Sequence, residues 1–311
     1  MSETKTKSSQ QPVVQTTGHA WDGDIQEFNN PIPNWWLWSF YTSVVFAVVY
    51  WVFYPAWPIG DSYTKGVMNN ITFLDSKGQE QTMHWNTRAL LIKEMQDGKN
   101  TEIGRSYLQK VSQSSYQEIL NDPEMIEYTL SVAKGLYGDN CAACHGSGAA
   151  GVVGLFPNLA DDDWLWGGST AEIEETIADG HLGYMPGFKK ALNDKQIDDV
   201  THYVLSLSGL ENDAASAKLG KAIFQGKEGG CYYCHTAQGT GLKSQGAANL
   251  TDAIWTVADV NGASTTEERK QAVKWVINNG VSRRMPAWSG RLSKEQIKLL
   301  TVYVHELGGG Q

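Results

Sequence analysis

The chain has 311 residues, with 34 acidic side chains against 25 lysines and arginines and a net charge of −9. That length suits two or three small domains, and the acid excess argues against a nucleic-acid partner. All four cysteines fall in two copies of Cys-x-x-Cys-His, Cys141-Cys144-His145 and Cys231-Cys234-His235, which leaves none for a structural disulfide and excludes a disulfide-knit scaffold.

In chain order, residues 1–17 are polar and are expected to be disordered. Residues 18–34 mix turn formers with acids and lead into "WWLWSFYTSVVFAVVYWVFY" (35–54), which carries no charge. A helix of that length spans the roughly 30 Å apolar thickness of a bilayer. Trp35, Trp36 and Trp38 lie at one end and Tyr50, Trp51, Tyr54 and Trp57 at the other, as aromatic belts do. A buried core helix is the competing reading, but such a helix rarely carries aromatics at both ends and no charge at all. A cleaved signal peptide does not fit, because the run starts late and no small-residue cleavage site follows it. An uncleaved anchor over 35–58 is therefore expected, after an N-terminal segment 1–34. Lys5 and Lys7 before it and Lys65 after it leave its orientation open by charge alone. Residues 59–130 read as a polar arm with short helices in "HWNTRALLIKEMQ" and "NTEIGRSYLQKVSQSSYQEIL", Asn100 or Thr101 capping the second.

From about residue 131 the chain repeats itself. The two Cys-x-x-Cys-His motifs are offset by 90, Asn158-Leu159 matches Asn249-Leu250 and Trp164 matches Trp255 at 91, and Gly180/Gly280 and Met185-Pro186/Met285-Pro286 match at 100. The final helices also match at 100 through Ile197/Ile297, Val200/Leu300, Val204/Val304 and Leu207/Leu307, a spacing that puts one apolar stripe on each. Asn193-x-x-Gln196 and Ser293-x-x-Gln296 are capping-box patterns at their starts. Two domains of one small helical fold are expected, 131–210 and 211–311.

Cys-x-x-Cys-His is the attachment signature of c-type haem. Two thiols at this spacing reach the two vinyl groups of one haem, and the next residue presents its imidazole to the iron. A thioredoxin-like dithiol expects a βαβ context that is missing, and a Cys₄ zinc site expects its two pairs far closer in sequence. Two covalently bound haem c groups are therefore expected, on Cys141 with Cys144 and on Cys231 with Cys234, with His145 and His235 as axial ligands. An iron that carries electrons without binding gases needs a sixth ligand, and methionine opposite histidine raises its potential. The candidates are Met185 in "HLGYMPGF" and Met285 in "VSRRMPAW", 40 residues after His145 and 50 after His235. A lone methionine is usually core filler, but a Met-Pro repeated in register points to ligation. His181, whose counterpart is Val281, reads as a loop histidine bonding backbone or a propionate, with ligation as the sharper alternative. His19, His84, His202 and His305 have no repeat partner. Residues 131–210 carry eleven acids against four lysines, while 211–311 carry twelve basic residues against nine acids. Such an asymmetry can steer a basic redox partner, and Arg283 and Arg284 stand where they could approach haem propionates.

In the entry segment "WDGDIQEFNNPIPNWWLW", the single anchor and the tandem "CAACHG" and "CYYCHT" domains with "YMPGF" and "RMPAW", the chain resembles the dihaem cytochrome c subunit (subunit III) of cbb3-type cytochrome c oxidases. The haem motifs alone are shared by many cytochromes; the order of segment, anchor and two domains carries the likeness. The resemblance implies an all-α chain with one N-terminal transmembrane helix followed by two tandem class I cytochrome c domains. It implies His145 with Met185 on one iron and His235 with Met285 on the other. It also implies a membrane-anchored relay, not an enzyme by itself, that takes electrons from a soluble cytochrome c donor. They would pass to the haem–copper catalytic subunit of a complex that also holds a monohaem cytochrome c subunit, reduces oxygen and pumps protons. Its site would be the bacterial inner membrane, with the haem domains in the periplasm and 1–34 in the cytoplasm. No copper-ligand histidine cluster is present, so catalysis would lie outside this chain. A dihaem carrier for another dehydrogenase or reductase, and a haem-based sensor, are the competing readings.

Overall fold

The structure is a computed structural model that describes residues 15–67 and 69–308. The disorder expected for 1–17 lies, as far as residue 14, outside the described residues. The chain divides into two compact units, Met1–Glu102 and Ile103–Gln311.

In the first unit, β1 (Thr16–Trp21) and β2 (Ile25–Phe28) form an antiparallel hairpin. α1 (Asn34–Phe53) follows, and none of its residues is buried against protein. Its 20 residues span about 30 Å. The hydroxyls of Ser39, Thr42 and Ser43 donate to the carbonyls of Trp35, Trp38 and Phe40, which leaves none of the three unpaired in an apolar medium. Among the described residues it is the one helix long and apolar enough to cross a membrane, and Pro55 stops it. Two more hairpins follow, β3 (Pro58–Ile59) with β4 (Ser62–Tyr63) and β5 (Asn70–Leu74) with β6 (Glu80–His84). Then comes α2 (Thr87–Asp97), whose cap Asn86 accepts the Ala89 N–H at 2.8 Å. Gln96 clasps the end of β5, accepting the Leu74 N–H at 2.9 Å and donating to its carbonyl at 2.6 Å. The strands were not expected; they are short and largely exposed, so they show little of the apolar alternation that marks a half-buried sheet.

α3 (Lys99–Gln113) carries the chain into the second unit and begins one residue before the expected cap Asn100. α4 (Tyr116–Asn121) opens on a Ser115/Glu118 capping box. α5 (Pro123–Asn140) opens on Asp122, whose Oδ1 accepts from the Glu124 and Met125 N–H groups. α5 therefore runs straight through residue 131, where a domain start was expected. The rest follows as α6 (Ala142–His145), α7 (Thr170–Asp179), β7 (His181–Met185), α8 (Asp194–Leu207), α9 (Ala214–Gln225), α10 (Tyr232–His235), α11 (Thr266–Asn279), β8 (Val281–Met285) and α12 (Lys294–Leu307). Both expected capping boxes, at Asn193 and Ser293, form.

The cores of this unit do not follow the repeats of the sequence. One core joins Tyr137 of α5 and Ile173 and Ile177 of α7 to Ile297, Leu300 and Val304 of α12. The other joins Phe224 of α9 and Val273 and Ile277 of α11 to Ile197, Val200 and Val204 of α8. Each repeat thus gives its last helix to the core built around the other repeat's cysteines, so that each core draws on both stretches, 131–210 and 211–311. The exchange happens at β7 and β8, which pair antiparallel over five residues, His181 opposite Met285 and Met185 opposite Val281. Beyond the ribbon, the Phe188 N–H donates to the Ile277 carbonyl at 2.9 Å and the Trp288 N–H to the Ile177 carbonyl at 3.1 Å.

Charge favours the exchange. Asp198 of α8 pairs with Lys270 at 3.1 Å and Lys274 at 3.3 Å on α11. At the repeat offset of 100, Asp198 corresponds to Lys298 and Lys274 to Glu174. Packing within each repeat would therefore face Asp198 with Glu174 and Lys298 with Lys274, like charge against like. α12 buries a second face as well: Leu299 and Val302 pack with Val111, Ile119, Met125 and Ala133 of α3 to α5.

Candidate functional site

The two Cys-x-x-Cys-His turns are built alike. α5 ends on Cys141, and the single turn of α6 brings round His145, which is 8% exposed. Its Nδ1 lies 3.1 Å from the Pro157 carbonyl. In the second copy α10 brings round His235, with Nδ1 2.9 Å from the Ala248 carbonyl. A carbonyl on Nδ1 fixes the proton there and leaves Nε2 bare, the tautomer a metal-binding imidazole needs. The loop after each turn folds back onto it, the Gly151 N–H donating to the His145 carbonyl at 2.8 Å and the Gly241 N–H to the His235 carbonyl at 3.0 Å.

Burial pushes both histidines below their ordinary pKa, although the Pro157 and Ala248 carbonyls oppose it. The rings are therefore neutral and ready to ligate. Burial also raises the Cys141 and Cys231 thiols to about 11, the reverse of the thiolate that dithiol exchange requires. Cys144 and Cys234 are exposed.

The methionines complete the opposite walls, and they cross. Met285 packs with Cys141, Ala142 and Trp164 in the first core. Met185 lines a cavity of about 110 Å³ with His235, Cys231, Phe224, Leu250 and Trp255. Order along the chain ties each methionine to the preceding histidine, His145 to Met185 and His235 to Met285, but the ribbon carries each methionine to the core of the other repeat's cysteines. His181 moves with this. Its ring stacks on Trp166 (4.0 Å between centroids, 5° between planes) and its Nε2 lies 3.0 Å from Thr176 Oγ1, so it sits across from Met285, not beside the ligand of its own repeat. His202 Nδ1 accepts the Asp213 N–H at 3.0 Å and His305 Nδ1 lies 2.9 Å from Glu306, roles on helix surfaces.

The residues fit haem c and fit zinc poorly. Cys141 and Cys231 pack against separate cores, and among the described residues no group of three or more His, Cys, Asp or Glu gathers around a point. The cavity under His235 has the apolar lining of a cofactor pocket, with an imidazole, a thioether and a thiol among its lining groups.

Two Cys-x-x-Cys-His turns, each with a methionine in the same core, define a c-type cytochrome of two tandem domains behind one apolar helix. Residues 13–61 match the N-terminal domain of cytochrome oxidase-cbb3, FixP, and residues 129–204 and 215–304 match cytochrome C oxidase, cbb3-type, subunit III. The chain is 41% identical to the cbb3-type cytochrome c oxidase subunit FixP of Azorhizobium caulinodans over 95% of its length and 94% of the relative's. It is 38% identical to the subunit CcoP of Cereibacter sphaeroides over 99% and 98%, and 40% identical to the subunit FixP of a Bradyrhizobium species over 95% of each. The chain belongs to the subunit III family of cbb3-type cytochrome c oxidases, electron-transfer components of an oxidoreductase complex, whose cytochrome c domains carry covalently bound haem c.

Proposed function

We propose that the chain relays single electrons through two haem c groups, from a soluble cytochrome c donor to the haem–copper catalytic subunit of a cbb3-type oxidase that also holds a monohaem cytochrome c subunit. The observation that carries this reading is that one methionine shares the core or cavity of each Cys-x-x-Cys-His turn, Met285 with Cys141 and Met185 with His235. Cys141 and Cys144 would hold one haem and Cys231 and Cys234 the other, with His145 and Met285 as donors to one iron and His235 and Met185 to the other. Haem between an imidazole and a thioether supplies one-electron chemistry at a raised potential with no open coordination position. The carbonyls of Pro157 and Ala248 hold the imidazole planes, Phe224, Leu250 and Trp255 keep water from the second site, and the β7–β8 ribbon ties the two thioethers together. Oxygen reduction and proton pumping belong to the catalytic subunit. α1 anchors the chain in a bacterial inner membrane, with 1–34 cytoplasmic and both haem domains periplasmic, where such motifs receive haem.

The test is reconstitution. The purified chain should contain two haem c and titrate in two one-electron steps, and adding it to oxidase stripped of it should restore oxygen uptake from reduced cytochrome c. One haem per chain, rapid carbon monoxide binding at both reduced haems, or uptake indifferent to the chain would sink the relay. Stable co-purification with an unrelated dehydrogenase instead of a haem–copper subunit would favour the carrier reading.

A further inference from the structure

Between the rungs of its two methionines the β7–β8 ribbon carries three more, the middle one being Gly183 opposite Arg283. Both strands alternate half-buried and exposed residues. Strand residues two apart share a face, so Met285, Arg283 and Val281 look inward with His181, Gly183 and Met185, while Arg284 looks out to solvent. Arg283 stands two residues from Met285 on its own strand and two rungs from Met185 on the other. At about 3.4 Å per residue, its backbone is about 7 Å along the ribbon from each. Gly183, its repeat counterpart, has no side chain to fill the inward face, so one cation occupies the space between the two sites.

That cation lacks a partner of its own kind. The guanidinium is half-buried. Its hydrogen bond is a long one, 3.5 Å from Nη2 to the Thr256 carbonyl, and among the described residues no carboxylate pairs with it. A guanidinium has five N–H donors, and burying a charge is costly unless an anion meets it. The Thr256 carbonyl also accepts the Gly154 N–H at 3.2 Å, and Thr256 lines the cavity of His235. Arg283 thus lies at the seam where a loop of the first site meets a loop of the second.

We infer that Arg283 is a positioning residue shared by both haem sites, whose guanidinium takes a haem propionate and whose charge favours the ferrous state of both irons. The inference rests on the dihaem reading above. A ferric iron carries one more positive charge than a ferrous one, and a fixed cation disfavours it. One unit charge on the order of 10 Å away, in a medium of effective dielectric about 20, changes such an equilibrium roughly tenfold.

The experiment is redox titration of both haems in the full-length chain bearing Arg283→Gln, Arg283→Lys or Arg284→Gln. Arg283→Gln should lower both reduction equilibria roughly tenfold, about 59 mV each, with both methionine-to-iron charge-transfer bands intact. Arg283→Lys, a point charge without the fork, should lower both by a smaller amount, and Arg284→Gln should move neither. A shift confined to one haem, no shift, or an equal shift from Arg284→Gln overturns the inference. Should Arg283→Gln lose a band, Arg283→Lys decides, and unchanged potentials in that variant refute the shared role. Two haems per chain with intact bands in the parent protein establish the dihaem reading whichever way the potentials move.

Discussion

Gly180→Ala should dislodge Met285 from the first haem site. Gly180 ends α7 at φ +68°, and a Cβ there would lie 2.4 Å from the Met285 carbonyl oxygen. Two costs add. An alanine held at this glycine-only backbone, with ψ 175°, costs about 1–3 kcal/mol, and overpacking a tight contact costs about 1–3 kcal/mol more. Relief requires the Met285 strand to back away by about 1 Å, while metal–ligand distances tolerate shifts of only about 0.2 Å. The expected result is loss of the methionine-to-iron charge-transfer band from one of two haems, with a melting temperature lowered by roughly 5–15 °C. Gly280→Ala should do the same to the other haem, since its Cβ would lie 2.3 Å from the Met185 carbonyl oxygen at φ +72°. Absorbance and thermal unfolding of the two variants decide it. Two intact bands and an unchanged melting temperature would refute the close fit on which crossed ligation depends.

Asp198→Lys should cost about 1–2 kcal/mol at low salt by facing Lys270 and Lys274 with a like charge, and a double-mutant cycle with Lys274→Glu should recover much of it. Burial raises the Asp198 carboxyl, but the lysine bonds outweigh it and hold the group low. Its contribution is therefore present above the ordinary carboxylate range and lost as pH falls through the folded value; Asp198→Asn should flatten that acid limb in a stability–pH series. Asp163 is the opposite case: burial first, then the Asp252 and Asp161 charges, push it up to about 6. Folding stability should fall as pH rises from about 4 to 6, and Asp163→Asn should add about 1–2 kcal/mol at pH 7 after discounting for solvent screening, a gain that vanishes near pH 4. A chain beginning at residue 59 should leave the membrane fraction on carbonate washing; retention would contradict the anchoring role of α1.

The sequence carried the chemistry further than the connectivity. The cysteine pairs, their histidines, the two Met-Pro loops and both final capping boxes were readable because local spacing sets them. The apolar stripes on 197–204 and 297–304 identified buried helices, but a stripe names no partner, and a contiguous repeat suggested a contiguous core. The one readable clue to the exchange was the reversed charge at matched positions, Asp198 against Lys298 and Lys274 against Glu174. The role of Arg283 required the strand register, because adjacent Arg283 and Arg284 look alike in sequence and differ only by the face on which the pleat puts them. The hairpins at 58–84 stayed hidden because they bury too little apolar surface to leave a pattern.

Crossed ligation is tested most directly in a chain that carries only the first haem, made by Cys231→Ala with Cys234→Ala. In that background Met285→Ala should abolish the methionine-to-iron charge-transfer band and lower the potential, while Met185→Ala should leave both unchanged. Loss of the band with Met185→Ala and its survival with Met285→Ala would show that each repeat ligates its own haem and would contradict the exchange.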